Sequence, residues 1–285
     1  MKKFISRIFQ PFAAGSLGAT IIAALLVLSF GFPQSSSAAE AARANAGNSN
    51  AATTSDPLAE FLKSLPPNVQ QGMSDSLLLY RSAPRITKAT DPKRLIFGTT
   101  DAPTRIVEWT DIRCPHCKNL EAALTEIRRD TPPGSWSEEV RHFPLDSECN
   151  PYVQRPSDGS GVSCLAAKVQ ICLMGSPEVG RVRATMFKEQ RTLTRDQIWK
   201  IAAPDAAQRK KLEACVKSPQ TAAILKEDLD YAAQHKLEGT PLVVINNRKA
   251  VSAPAMIYTM IMMGGRDDAP GFKVLPPPSA ELQRH

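Results

Sequence analysis

Aromatic side chains are scarce in this chain, at 6% of 285 residues. Arg and Lys are scattered among acids, so the net charge of +7 is spread thin. A nucleic-acid surface needs a basic stripe interleaved with aromatics, and neither ingredient is present. No internal repeat divides the chain, and 42% hydrophobic content over this length supports one substantial core. Length alone allows one or two domains. A second Cys-x-x-Cys is also missing, which argues against structural zinc, since such sites usually pair two ligand sets of similar spacing. His142 and His235 have no ligand spacing either. The one metal reading left beside zinc is copper binding or metallochaperone work by Cys114, Cys117 and a histidine.

What is present begins at the N-terminus. Lys2, Lys3 and Arg7 precede a mainly apolar run from Phe12 to Phe32, followed by Pro33 and small residues to Ala39. That is the layout of a signal peptide, and the run is also just long enough to span a bilayer. Residues 1–39 are therefore read as a cleaved signal or a membrane anchor. Both readings export the rest of the chain, because the positive flank stays in the cytoplasm. Residues 40–55 are Ala, Asn, Ser and Thr with few apolar anchors, and read as a flexible linker. Residues 56–90 form an N-terminal extension. Its helical pattern (Leu58, Phe61, Leu62, Leu65) ends at Pro66-Pro67 and either packs on the main domain or binds a partner.

The main domain is expected over 91–265. Leu95–Phe97 and Arg105–Trp109 read as strands, a helix opens at Pro115, and Glu139–Phe143 is the next strand. Residues 150–161 are a loop rich in Pro, Ser, Gly and Asp. From about 162 to 235 the pattern is helical, with breaks at Gly175-Ser176-Pro177, Thr194, Pro204 and Ser218-Pro219. Strands at 241–245 and 249–251 follow, joined by Asn246-Asn247, and then a helix over 253–263 ends at Gly264-Gly265. Met256, Met260, Met262 and Met263 are read as core rather than substrate groove. Residues 266–285 form a Pro-rich tail expected to be weakly ordered. The order is βαβ, a run of helices, then ββα. This is an α/β class with a helical insertion, the order that a thioredoxin-like fold with an inserted helical subdomain would show.

The chemistry centres on Cys114-Pro115-His116-Cys117. Two cysteines two residues apart can close and reopen a small disulfide. A thiol at a helix N-terminus is favoured as thiolate by free N–H groups and the helix dipole. His116 adds a dipole or, when protonated, a cation. Stabilising the thiolate stabilises the reduced form, which makes the disulfide a stronger oxidant. Cys117, one turn into the helix, would resolve a mixed disulfide by attacking Cys114. Glu108 on the preceding strand is a candidate proton carrier for Cys117, with an exposed strand glutamate as the alternative. Thr240-Pro241 could present free backbone groups to an extended peptide beside Cys114 if its peptide bond is cis.

Six cysteines in an exported chain suggest paired thiols. Cys149 and Cys164 flank the 150–161 loop and could staple it. They could also form a second redox-active pair. Cys172 and Cys215 lie on helix faces as small buried hydrophobes or as a further structural disulfide.

These residues resemble the DsbA-like thiol–disulfide oxidoreductases of bacterial envelopes, which have a thioredoxin fold. The likeness runs from about Arg94 to Gly265. Ile106-Val107-Glu108-Trp109-Thr110-Asp111 and the Cys114–Cys117 motif look like that family's first core strand and active site. Leu212–Cys215 and Gly239-Thr240-Pro241 look like the end of its helical insertion and its cis-proline loop. The resemblance implies that Cys114 is the nucleophile, Cys117 the resolving thiol and Glu108 the buried acid. Pro115-His116 is the dipeptide of oxidising members. His142–Asp146 with Cys149-Asn150 also resembles a branch found alongside vitamin K epoxide reductase-type membrane proteins. Thr240, in contrast, resembles isomerases and reductases.

The expected protein is therefore an exported oxidoreductase of the bacterial periplasm or cell envelope, either soluble or tethered by residues 12–32. Its expected partners are reduced or unfolded envelope proteins and a quinone-linked membrane reoxidant, DsbB-like or vitamin K epoxide reductase-like. No cofactor or metal is expected, and the expected state is a monomer. The alternatives are an isomerase or reductase of the same fold, or a metallochaperone or assembly factor without turnover.

Overall fold

Residues 104–110 are buried almost throughout, polar Thr104, Glu108 and Thr110 included, because they form the middle strand of a five-stranded sheet. The computed structural model describes residues 56–284. The signal or anchor at 1–39 and the linker at 40–55 lie outside them. Among the described residues, no helix is long and apolar enough to cross a membrane.

In chain order, β1 (Leu95–Phe97) and β2 (Thr104–Thr110) lead into α3 (Pro115–Asp130) and β3 (Trp136–His142). Two helices, α1 (Pro57–Lys63) and α2 (Pro67–Ser82), precede them. Five helices follow β3: α4 (Val162–Cys172), α5 (Glu178–Lys188), α6 (Arg195–Ala202), α7 (Ala206–Val216) and α8 (Pro219–Gln234). The chain then returns to the sheet as β4 (Leu242–Ile245) and β5 (Arg248–Ala250), and closes with α9 (Pro254–Met262). The sheet order is β1-β3-β2-β4-β5. β2 and β3 run parallel through the α3 crossover, and the other neighbours pair antiparallel. This is a mixed α/β, thioredoxin-like fold with an inserted helical subdomain.

Local sequence explains most boundaries. Pro115 takes the first position of α3, where a missing N–H costs nothing. Thr194 and Gln197 form a reciprocal capping box on α6. Ser218 caps α8 through the Thr221 amide. Pro66-Pro67, expected to end the first helix pattern, does so and also opens α2 with Pro67 at its first position.

The extension and the tail meet on the far side of the sheet. Leu58, Phe61, Leu62, Leu65, Met73, Leu77 and Tyr80 join one core cluster with Leu120, Leu124 and the α9 residues. The Tyr80 hydroxyl donates to the Ile245 carbonyl at 3.0 Å, tying α2 to β4. Met256 and Met260 are buried in this cluster, whereas Met262 is exposed.

The tail is not weakly ordered as its proline content led us to expect. Residues Pro270–Val274 form a 3-10 turn, and Phe272 is buried against the α1 side of the core. Gly271 passes so close to α1 that a Cβ there would lie 2.7 Å from Leu58 Cγ. Ser74 donates to the Pro276 carbonyl at 2.6 Å, and the Ser279 amide donates to Asp75 at 2.7 Å. The prolines pre-set an extended path whose carbonyls find donors on α2, so the segment loses little entropy on docking.

Candidate active site

Cys114 is the N-cap residue of α3, and Cys117 lies in its first turn. Both are free thiols, 4% and 0% exposed. Pro115 and His116 between them are exposed. Asp111 shapes the approach: its carbonyl accepts from the Cys114 amide at 3.1 Å, and its carboxylate accepts from Arg113, Leu145 and Ser163.

The fold brings Thr240 and Pro241 to this spot from the other end of the sequence. Their peptide bond is cis, and the Cys114 thiol donates to the Thr240 carbonyl at 3.3 Å. The Cys114 thiol is pulled down to about 5. The largest contribution is a hydrogen bond from the Cys117 thiol, and burial opposes it. The Thr240 side chain and the backbone amides of Cys117 and His116 add to the lowering. The Thr240 hydroxyl makes no other protein hydrogen bond, so it is available to the thiolate. His116 thus acts through its backbone N–H, while its imidazole faces outward.

Cys117 is pushed the other way. Burial lifts its thiol far above the usual range, and the Cys114 hydrogen bond and the Glu108 charge lift it further. The two sulfurs are therefore unequal: Cys114 is favoured as a thiolate, and Cys117 is held as an enclosed thiol.

Glu108 is fully buried on β2, not an exposed strand glutamate. Burial raises its carboxyl to about 8, with Arg183 pulling down and Glu138 and Glu121 pushing up. Arg183 reaches in from α5. It donates to Glu108 Oε2 at 2.7 Å and to Glu121 Oε2 at 2.8 Å. Arg128 completes the group with Glu138 at 2.6 Å and Glu121 at 3.3 Å. Three carboxylates thus face two guanidinium groups, which leaves room for one proton.

Sequence reasoning did not find Arg183, Glu121, Glu138 or Arg128. A signal existed: Val179, Val182, Met186 and Phe187 mark the inward stripe of α5, and Arg183 occupies a slot within it. Glu121 likewise interrupts the Leu120, Leu124, Ile127 stripe of α3. Gln190 was also missed. From the loop after α5 its side chain donates to the Ile112 and Cys114 carbonyls, each at 2.8 Å.

The other four cysteines form two disulfides. Cys149–Cys164 ties the 150–161 loop to α4, and Cys172–Cys215 ties the end of α4 to the end of α7. His142 is buried, and burial first and the charges of Arg94, Arg183 and Arg141 second push its imidazole well below the usual histidine range. Two groupings of candidate metal ligands occur among the described residues, Glu108/Glu121/Glu138 and Asp146/Glu148/Cys164. Neither includes Cys114 or Cys117, and guanidinium groups already neutralise the first.

No curated protein matches the chain. Among solved structures it is similar to BdbD from Bacillus subtilis in the oxidised state, at 17% identity and a TM-score of 0.49, over 64% of this chain and 97% of that one. It is also similar to DsbA2 of Pseudomonas aeruginosa, at 19% identity and a TM-score of 0.48, over 65% and 100%. A third is the thiol-disulfide exchange protein alpha-DsbA2 from Wolbachia pipientis, at 14% identity and a TM-score of 0.46, over 69% and 96%. The family model described as thioredoxin matches residues 90–258, more than half of the chain, which therefore belongs to the thioredoxin family.

Proposed function

We propose that this chain is a DsbA-like thiol–disulfide oxidoreductase that introduces disulfides into exported envelope proteins through Cys114 and Cys117. The observation that carries this reading is the inequality of the two thiols. Cys114 sits at a helix N-terminus against Thr240 with its thiol lowered to about 5, while Cys117 is enclosed and strongly raised. A stabilised Cys114 thiolate favours the reduced pair, so the disulfide gives itself up readily.

The reaction follows from that arrangement. A substrate thiolate attacks Cys114 Sγ of the oxidised pair. The Cys114–Cys117 bond breaks as the mixed disulfide forms, and Cys117 leaves as a thiolate. It is a poor leaving group unless protonated, and Glu108 behind it can deliver that proton. A second substrate thiolate then attacks the substrate sulfur, releasing oxidised substrate and the Cys114 thiolate. Thr240 and Pro241 would align the peptide, with main-chain groups giving sequence tolerance. Two electrons and the substrate's protons remain with the pair until a quinone-linked membrane partner withdraws them. Export by residues 1–39, into the periplasm or cell envelope, belongs to this same proposal.

The runner-up is an isomerase or reductase of the same fold, favoured by Thr240 before the proline. Equilibration of the pair with glutathione separates the two. A potential of about −120 to −180 mV is expected for a disulfide donor, and one near −270 mV would make the protein a reductant. Cys114→Ser should abolish oxidation of a reduced substrate.

A further inference from the structure

The two disulfides outside the redox motif differ in access and in the charge around them. Cys172 and Cys215 are both half-exposed and line an open cleft of about 580 Å³ between α4, α5, α6 and α7. That volume is in the range of small-molecule sites. Thr221 lies behind the bond, 3.4 Å from Cys172 Sγ and 3.5 Å from Cys215 Sγ, with its hydroxyl donated to the Cys215 carbonyl. The approach from the cleft is thus the open one.

Charge at this bond also favours attack. Lys211 lines the cleft one helical turn before Cys215, so both fall on the same face of α7. Arg181 lines it too, but is paired with Glu178 at 2.6 Å, whereas Lys211 makes no ion pair among the described residues. An ammonium beside a cysteine attracts an incoming thiolate and stabilises the one that leaves. The carbonyl ends of α4 and α7 oppose this, so the reactivity rests on access and on Lys211 rather than on helix dipoles.

Cys149–Cys164 is less open and carries the opposite local charge: Cys149 is half-buried, but its partner is enclosed. Cys164 is 4% exposed. Its sulfur and the carboxylates of Asp146 and Glu148 all lie within 4.8 Å of one another. Two acids at that range repel an approaching thiolate.

We infer that Cys172–Cys215 is a second thiol-exchange site, which accepts a small monothiol through the cleft walled by Lys211. The thiolate attacks Cys172 Sγ, forming a mixed disulfide as the Cys172–Cys215 bond breaks, and Cys215 leaves as a thiolate beside Lys211. A second molecule of the monothiol then attacks the first one's sulfur. The products are the symmetrical small disulfide and a reduced Cys172/Cys215 pair, with two electrons passed from two thiols to one protein disulfide. The consequence falls on α7, which fully buries only Leu212 and is tied covalently to α4 by this bond.

The test uses the full oxidised chain carrying Cys114→Ser and Cys117→Ser, so that no exchange passes through the redox motif and the result stands apart from the proposed function. It is incubated with reduced glutathione, quenched with acid and alkylated, and each cysteine peptide is quantified by mass spectrometry. Cleavage of Cys172–Cys215 should be at least about tenfold faster than that of Cys149–Cys164, and Lys211→Gln should slow it about threefold. Equal rates, faster cleavage of Cys149–Cys164, or no effect of Lys211→Gln would overturn the inference. Should the double serine variant not fold, the ratio of the two cleavage rates in the unsubstituted chain decides the same question.

Discussion

Arg183 and Glu108 meet 2.7 Å apart with both side chains fully buried, one from the helical insertion and the other from the strand that leads to Cys114. Glu121 takes the second face of the same guanidinium. The insertion is therefore bonded to the floor of the thiol site rather than merely resting on it.

Removing Arg183 should be costly. Arg183→Ala leaves three buried carboxylates against Arg128 alone, so a loss of about 3–5 kcal/mol is expected. Urea unfolding of the two proteins would measure it. A change below about 1 kcal/mol would mean that water or protonation satisfies the acids without the guanidinium.

Glu108→Gln should behave oppositely, because it balances two acids with two guanidinium groups. Burial raises the Glu108 carboxyl from the usual range to about 8. The folded protein therefore holds a proton that the unfolded chain has already released between about pH 4.5 and 8. Stability from this group is present below its unfolded value and falls as pH rises through that window. Glu108→Gln should flatten the decline and be the more stable protein at pH 8, by at least about 1 kcal/mol. A denaturation series from pH 4 to 9 reads the slope directly.

The same variant separates structure from proton delivery. If Glu108 supplies the proton for Cys117, Glu108→Gln should slow substrate oxidation by about a hundredfold, the low end for a general acid. Attack by Cys114 on a small model disulfide in the reduced protein should change far less. Equal slowing of both steps would reduce Glu108 to a packing role.

A thiolate at Cys114 predicts the pH dependence of the potential. Below its value of about 5, reduction takes up two protons with two electrons. Above it, Cys114 stays ionised and Cys117 alone binds a proton. The slope should therefore fall from about 59 to about 30 mV per pH unit across that point. A constant slope of about 59 mV up to pH 8 would show that Cys114 is not a thiolate in the reduced protein.

The loop staple gives a stability prediction of its own. Cys149→Ala with Cys164→Ala opens a short loop and should cost about 3 kcal/mol in the chain-entropy model. Calorimetry on the oxidised protein would show it as a lowered melting temperature with the Cys114–Cys117 couple intact.

Sequence alone determined what short-range rules encode. Pro115 after Cys114, followed by the Leu120, Leu124, Ile127 stripe, favours a helix start, so the nucleophile's place at an N-cap was legible from nearby residues. The strand patterns at 95–97, 105–109 and 241–245, and the caps at Thr194 and Ser218, followed from side-chain periodicity and capping chemistry in the same way. The Pro-rich tail misled, because composition reports a segment's own ability to order and not the hydrogen-bond partners waiting on α2. Only tertiary structure decided which distant residues surround the thiols. Thr240 reaches Cys114 because β4 lies beside β2, and Arg183 reaches Glu108 because α5 packs over α3. Gln190 likewise reaches the Cys114 carbonyl across many residues of chain. Periodicity says that a side chain points inward but not what it meets there, and for a buried charge the partner sets the chemistry.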